Sequence, residues 1–329
     1  MIKKWSSTYK RTKLYQLAAY VAAIIILALF PLFIESTYLF TIFILTLIYI
    51  IVASSLRLII TSGQFPLAHA AFMALGGYFS GIVSIHLDLS PWLTIPLGAL
   101  FAMGVGIFIG YPFSRLKTFY YAMVSLFFGT GVVRAFQSGG KFTGGNMGLT
   151  LIPPLFESKS MVAYFYFVLA ITVISLFVIY RLEFSRFGQS LKAIDQTDLV
   201  AGSVGIDVAK YKITVLAFGC FFAGLAGGIY AHFTMTLSPW SFDMMATLWL
   251  FMYVIIGGLS AFEGPIIGTV LLFLIPEFSR GLKIYTPFFT GGLLFLVIYL
   301  IPDGLVSLPG VIRSRIKKGK VNGQTIGDS

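Results

Sequence analysis

The chain has 329 residues, of which 58% are hydrophobic and 11% are charged, and its formal net charge is +11. Soluble domains carry about 25% charged residues, so this composition excludes an ordinary soluble protein and predicts a chain that crosses a membrane several times. The single cysteine, Cys220, excludes an internal disulfide bond and a cysteine metal cluster.

In chain order, the apolar runs predict about ten transmembrane helices and therefore an all-α, polytopic integral membrane protein. Segment 63–86 opens with glycine and proline, which predicts a broken or re-entrant start. The predicted spans are residues 14–34, 38–60, 63–86, 91–113, 119–136, 161–180, 213–233, 244–262, 264–278 and 287–301.

The basic residues predict the orientation of the chain. Residues 1–13 and residues 302–329 each hold five or more lysines and arginines, beside the first and last apolar runs. Such clusters anchor cytoplasmic ends against anionic membrane lipid and are not typical of nucleic-acid arms in this context. We therefore expect a basic cytoplasmic N-terminus (1–13), a membrane domain (14–301) and a basic cytoplasmic tail (302–329).

Glycines recur four residues apart within several predicted spans. This spacing places them on one face of a helix, where the backbones of two helices can approach closely. We expect tight helix packing there, with a moving, substrate-lining role as the alternative. The glycines concerned are Gly77, Gly81, Gly106, Gly110, Gly224, Gly228, Gly264 and Gly268.

Residues 181–212 form the one long polar interruption between the spans, and they carry both signs of charge. Asp195 is a candidate N-cap, Asp198 falls in the first turn, and Gly205 fits the position after a helix end, which predicts a helix of about two turns. That helix would present Thr197, Val200, Ala201 and Val204 on one side, and Asp207 would cap the next span. By physical chemistry alone, the segment either lies on the membrane surface or docks a soluble subunit.

Few ionisable residues lie deep in the predicted spans, and we place Asp88 and Asp243 in outer loops. His69, His86 and His232 are far apart in sequence and lack metal-ligand spacing. We expect no catalytic, metal-binding or cofactor-binding residues, no ion-coupled transport and no ion channel. Candidate polar lining for a translocation path, each also interpretable as an internally bonded helix residue, is Gln64, His69, Ser80, Ser125 and Thr130.

The order and spacing of several blocks together resemble the LivM-type permease subunit of branched-chain amino-acid ABC importers. The resemblance covers most of the chain from about residue 55 onward. The blocks are residues 63–72, 76–78, 120–126, 143–149, 188–212, 223–227, 238–242, 257–265 and 302–305.

The resemblance implies a multi-pass permease in the cell (inner or cytoplasmic) membrane that forms half of a translocation path. It implies a homologous LivH-like permease as heterodimer partner, two ATP-binding subunits that hold ATP and Mg, and an extracytoplasmic substrate-binding protein. Residues 188–205 match the family's coupling region, so docking becomes the preferred interpretation. The docking residues it implies are Gly188, Lys192, Ala193, Asp195, Asp198, Ala201 and Gly205.

Two alternatives remain open at this stage. Related permeases import urea, short amides or sugars, and apolar spans do not separate these substrates. A stand-alone membrane facilitator or scaffold without ATPase partners is the alternative from a different class.

Overall fold

The computed structural model describes residues 27–29, 31, 36–156, 160–278, 288, 291–292, 295 and 304–307. The predicted N-terminal region 1–13 lies outside these residues, as do most of the spans 14–34 and 287–301 and most of the tail 302–329. The helices are α1 (Thr37–Ile60), α2 (His69–Leu87), α3 (Pro91–Phe113), α4 (Thr118–Ser138), α5 (Gly140–Thr143), α6 (Met161–Glu183), α7 (Arg186–Gln196), α8 (Asp198–Ser203), α9 (Val208–Thr234), α10 (Met244–Gly257) and α11 (Gly264–Phe278).

The described part of the chain is all-helical apart from connections and one isolated β-bridge, as predicted. Among the described residues, six helices are long and apolar enough to cross a membrane: α1, α2, α3, α4, α6 and α9. Predicted span 91–113 coincides with α3, and the long helices α1, α2, α4, α6 and α9 differ from prediction by a few residues at their ends. Helix α11 has the predicted bounds 264–278, but its 15 residues, or about 22 Å, are too few for a full span. Residues 63–68 are not helical, as their glycine and proline predicted.

The predicted full span 244–262 is wrong. Helix α10 has 14 residues, which corresponds to about 21 Å, whereas the hydrocarbon core of a bilayer is about 30 Å thick. It ends because Gly258 adopts φ +116°, a conformation that cannot continue a helix, and residues 259–263 form turns before α11. The apolar sequence there builds a half-length helix and a turn.

Helix α9 lies at the centre of the bundle and packs against α1, α2 and α3. The approach is closest where Gly76, Gly98 and Gly224 meet: a Cβ on Gly98 would lie 2.5 Å from the Gly76 carbonyl oxygen, and one on Gly224 would lie 2.5 Å from the Ala102 Cβ. Backbone therefore touches backbone across three helices. All eight glycines singled out in the sequence face a neighbouring segment at close range: Gly77, Gly81, Gly106, Gly110, Gly224, Gly228, Gly264 and Gly268.

The bundle has two ends, named here for the segments that lie at them. The polar end holds residues 181–212, and the glycine-loop end holds residues 138–156. At the glycine-loop end, Leu149 and Leu237 exchange backbone hydrogen bonds of 2.8 Å in each direction. The chain after α9 is thereby joined to the glycine-rich loop.

From Leu237 the chain turns back into the bundle alongside α2. The Tyr78 hydroxyl donates to the Leu237 carbonyl at 3.2 Å, and further along the chain Thr247 accepts a bond from the Ala70 amide at 3.3 Å. Tyr78 and Ala70 are eight residues, or about 12 Å, apart along α2. Helix α10 consequently begins well inside the bundle and runs toward the polar end.

Candidate functional site

Residues 181–212 fold into two short helices at the polar end. On α7 the buried residues are Gly188, Leu191 and Ile194, while Lys192 and Ala193 face outward. Gly188 lies directly against the Glu183 carbonyl, and no side chain fits between them. The tight turn from α6 into α7 therefore depends on glycine at this position.

The predicted caps of this segment are partly corrected by the structure. Asp195 is not an N-cap, because residues 186–196 are already helical and Asp195 lies in the last turn of α7. Helix α8 begins at Asp198 after the extended residue Thr197. Gly205 has φ +86°, its amide donates to Gly202 and the Ile206 amide donates to Ala201, which is the Schellman arrangement that ends helices. Asp207 caps α9 as predicted, accepting from the Lys210 amide at 3.1 Å.

Ion pairs hold both short helices to the bundle. Lys212 Nζ lies 2.6 Å from Asp198 Oδ2 and so joins α9 to α8, and Lys192 Nζ lies 3.5 Å from Glu183 Oε1 and joins α7 to α6. Glu183 is also paired with Arg57 of α1 through two hydrogen bonds of 2.6 and 3.0 Å. Arg57 Nε donates to the Leu259 carbonyl in the turn between α10 and α11 at 3.0 Å.

The Arg57–Glu183 pair was not predicted from the sequence. The sequence puts Arg57 in the last turn of the predicted span 38–60 and Glu183 in the polar segment 181–212, and it indicates no partner for either. The available signal was that Arg57 is the one charged residue within the apolar run of α1. A charge in such a position is costly unless it is paired, so a partner was to be expected.

Apolar side chains on α8 and on Val204, the residue that follows it, face outward at the polar end. Leu199, Val200 and Val204 are 84%, 62% and 72% exposed, while Ala201 is buried. The predicted common face of Thr197, Val200, Ala201 and Val204 is therefore wrong for Ala201, because that residue is turned toward the protein. The outward apolar residues leave a short helix with an uncovered hydrophobic surface next to charged groups.

Asp195 connects this segment to the non-helical residues 61–68. A Cβ on Gly63, which has φ +75°, would lie 3.1 Å from Asp195 Oδ1, so the carboxylate lies directly against that backbone. Partial burial of the carboxylate there raises the pKa of Asp195 above its ordinary value. The end of α7 is thus in contact with the connection that leads into α2.

The structure brings three of the five predicted path residues to the connection before α2. Gln64, His69 and Ser125 are buried there. Gln64 accepts a hydrogen bond from Ser62 at 3.3 Å, and Ser125 accepts one from the Leu67 amide at 3.0 Å. His69 Nε2 lies 2.9 Å from the Ser55 hydroxyl. These contacts fix the backbone of residues 62–69. In this conformation the three side chains form hydrogen bonds inside the bundle and do not face an open path.

The other two predicted path residues lie elsewhere. Ser80 belongs to a buried cluster in which its hydroxyl lies 3.0 Å from that of Thr94 and 2.9 Å from His232 Nε2, and His232 Nδ1 donates to the Pro153 carbonyl at 2.7 Å. Thr130 is exposed on α4 and donates to the Leu126 carbonyl at 3.0 Å. Of the five, Thr130 is the one that borders a cleft.

This shallow cleft lies where α4 faces the start of α10. Thr130 is near the middle of the 21-residue helix α4, so the cleft is at mid-depth in the bundle. Its lining comprises Leu67, Ala71, Leu126, Gly129, Thr130, Phe242, Asp243, Met244 and Thr247.

Asp243 contradicts its predicted place in an outer loop. It directly precedes α10, its Oδ1 accepts from the Ala246 amide at 3.0 Å, and it lines the cleft at mid-depth. Sequence reasoning missed this residue because hydropathy does not report depth. A signal was present: an aspartate followed by an apolar run of 14 residues is the pattern of an N-cap.

No group of three or more metal-ligating side chains occurs within the part of the chain that the structure describes. The family model described as "Branched-chain amino acid transport system / permease component" matches residues 38–302, well over half of the chain. No solved structure matches the chain.

Curated relatives cover most of the chain at low identity. The high-affinity branched-chain amino acid transport system permease protein LivM of Escherichia coli (strain K12) is 27% identical over 308 residues, covering 85% of this chain and 72% of that protein. The corresponding permease protein LivH of the same organism is 22% identical over 276 residues, covering 76% and 87%. The probable branched-chain amino acid transport permease protein LivM of Methanocaldococcus jannaschii is 24% identical over 258 residues, covering 72% of each chain.

Proposed function

The chain belongs to the family of branched-chain amino acid transport system permease components, and from this we infer that it is a membrane-spanning permease subunit of an ATP-driven (ABC) importer of branched-chain amino acids. The observation that carries this inference is the family match, which spans the bundle from α1 to α11. The bundle agrees with it chemically, since Arg57 and Glu183 neutralise each other and the interior is otherwise mostly apolar.

The importer that we propose contains a second, homologous permease of the LivH type. Relatives named LivM and LivH both align with this chain over most of its length, which supports a pair of related halves. Helix α4 buries one stripe, formed by Tyr121, Ser125, Gly129 and Val133, and the cleft opens beside its uncovered surface. We place the partner permease against that surface, so that the translocation path runs between the two halves.

Two ATP-binding subunits dock, in this proposal, on α7 and α8, and ATP and Mg are bound by those subunits. The exposed side chains of Leu199, Val200 and Val204 supply an apolar contact surface. The ion pairs of Lys212 and Glu183 tie this surface to α9, α6 and α1. A rigid-body displacement of α7 and α8 is thereby passed to the bundle and can alternate the access of the path.

The polar end then faces the cytoplasm, in the inner or cytoplasmic membrane, and the glycine-loop end receives substrate from an extracytoplasmic binding protein. Met147 and Leu151, which are 92% and 88% exposed in the loop joined to Leu237, offer a contact for that protein. This arrangement puts the apolar surface of α8 and that of the glycine-rich loop on opposite sides of the membrane.

The docking claim is tested with a triple variant, Leu199→Ser, Val200→Ser and Val204→Ser. We expect normal membrane insertion and pairing with the partner permease, but at least a ten-fold loss of co-purifying ATP-binding subunits. The matched control is Met147→Ser with Leu151→Ser, which replaces equally exposed apolar residues at the other end and should retain those subunits. Full recovery of the ATP-binding subunits by the triple variant would show that α8 is not the docking element.

A further inference from the structure

Asp243 is an acidic residue within the membrane bundle without a charged partner among the described residues. Asp243 immediately precedes helix α10, which begins at mid-depth. The hydrogen bond from the Ala70 amide to Thr247, one turn after Asp243, fixes this depth. Its Oδ1 accepts from Ala246, and no lysine, arginine or histidine pairs with it in the described part of the chain. An ionisable group at such a depth is costly and marks a functional position.

The cleft beside Asp243 combines one anionic group with an apolar wall. The carboxylate and the Thr130 hydroxyl are its exposed or partly exposed polar groups, and Leu67, Leu126 and Met244 contribute hydrocarbon surface around them. The cleft opens beside the uncovered surface of α4, so a small solute held there would lie between this chain and the partner permease. An ammonium group attached to a short branched hydrocarbon matches both features of the cleft.

We propose that Asp243 receives the ammonium group of the transported amino acid and that the apolar wall of the cleft receives its side chain. This inference rests on the proposed function and deepens it by assigning the substrate contact on this half of the importer. Because the surroundings are apolar, the attraction between carboxylate and ammonium is stronger than it would be in water. Neutral solutes such as urea and sugars carry no cationic group that could pair with this carboxylate.

The residue that caps α10 is thus also the residue that binds substrate. Occupation of the cleft places a cation next to the first turn of α10, whose other end lies at the Leu259 carbonyl held by Arg57. Substrate at mid-depth is therefore connected through one half-length helix to the Arg57–Glu183 pair and to α7. A bound substrate can in this way influence the polar end without a large movement of the bundle.

The test uses the complete importer, reconstituted in lipid nanodiscs with its partner permease and ATP-binding subunits but without the binding protein. Bound radiolabelled leucine is measured, with 4-methylpentanoate, which is leucine without its amino group, as competitor. Asp243→Asn removes the charge and keeps the cap, because asparagine caps helices as well as aspartate does. We expect at least ten-fold weaker leucine binding in this variant, normal assembly of the complex by size-exclusion chromatography, and recovery of a substantial part of the binding in Asp243→Glu.

The matched control is Asp88→Asn, an acidic residue outside the cleft at the end of α2, where asparagine tolerates the left-handed backbone. It should bind leucine as the wild type does. Wild-type leucine binding by Asp243→Asn would overturn the assignment, as would an equal loss of binding for leucine and 4-methylpentanoate. A wild-type complex that transports no branched-chain amino acid would instead refute the proposed function, so the two failures are distinguishable.

Discussion

Arg57 and Glu183 form a two-pronged ion pair between α1 and α6, with N–O distances of 2.6 and 3.0 Å, and their side chains are only 3% and 2% exposed. Removing Glu183 leaves the Arg57 charge buried without a charged partner, which costs about 3–5 kcal/mol, whereas removing Arg57 leaves Glu183 with Lys192 at 3.5 Å. We therefore expect both Arg57→Met and Glu183→Leu to lower the thermal stability of the detergent-solubilised protein, and Glu183→Leu to lower it more.

The double variant is the control for that prediction. When both charges are replaced by apolar residues of similar volume, no unpaired charge remains and most of the stability should return. A fluorescence-detected thermal unfolding series of the wild type, the two single variants and the double variant measures the coupling. Additive losses in the double variant would show that the pair does not act as a unit.

The close contact of α2 with α9 predicts a strong effect of one added methyl group. A Cβ on Gly76 would overlap the backbone of Gly224, so Gly76→Ala should destabilise the bundle by about 1–3 kcal/mol. Gly104 in α3 has no atom within 4 Å of such a Cβ, and Gly104→Ala should be neutral or slightly stabilising. Thermal unfolding compares the two; equal stability of both variants would contradict the packing described for Gly76.

Gly205 should be required for the geometry of α8. Its φ of +86° is unfavourable for any residue with a Cβ, and alanine there should cost about 1–2 kcal/mol and loosen the end of the helix. Gly202→Ala is the matched control, because Gly202 is helical and has open space around it. The hydrogen-exchange rate of the backbone amides of residues 198–206 should rise in Gly205→Ala and stay unchanged in Gly202→Ala. Equal exchange rates in the two variants would argue against the observed helix end.

Asp195 should make the contact between α7 and residues 61–68 depend on pH. Burial raises its pKa in the folded state above the ordinary value of 3.8, so the folded protein binds more protons than the unfolded chain in that range. The contribution of this group is most favourable at acidic pH and is lost as the pH rises through the folded-state pKa. The contact should loosen accordingly.

Protease accessibility of residues 61–68, measured between about pH 4 and pH 7, follows this change. Asp195→Asn lacks the titrating group and should give a flat profile under the same conditions. Identical profiles for the wild type and Asp195→Asn would rule out Asp195 as the origin of any pH dependence.

Hydropathy and helix-terminal signals were sufficient for the long helices. Pro91 begins α3 at the predicted position, since proline favours the first position of a helix whatever the rest of the fold. The same signals failed for α10. The conformation of Gly258 divides the continuous apolar run there, and the helix itself starts at mid-depth. Apolar composition is compatible with a full span or a half span, and tertiary contacts decide between them.

Long-range pairing explains what else the sequence did not reveal. Ser125 accepts from the Leu67 amide and Arg57 binds Glu183 across 126 positions, and neither partner can be read from local spacing. Asp207 and Gly205 were predictable because a helix cap involves only neighbouring residues. The candidate site was thus only partly visible in sequence, with Thr130 identified and Asp243 misplaced.

The proposed function is tested by ATP-driven uptake of radiolabelled leucine into proteoliposomes that contain the complete importer with this chain as one permease. We expect accumulation that requires ATP, the binding protein and this subunit, and that is inhibited by valine and isoleucine but not by urea or ribose. Accumulation of a sugar or urea in place of leucine, or leucine entry that is independent of ATP, would contradict the proposed function.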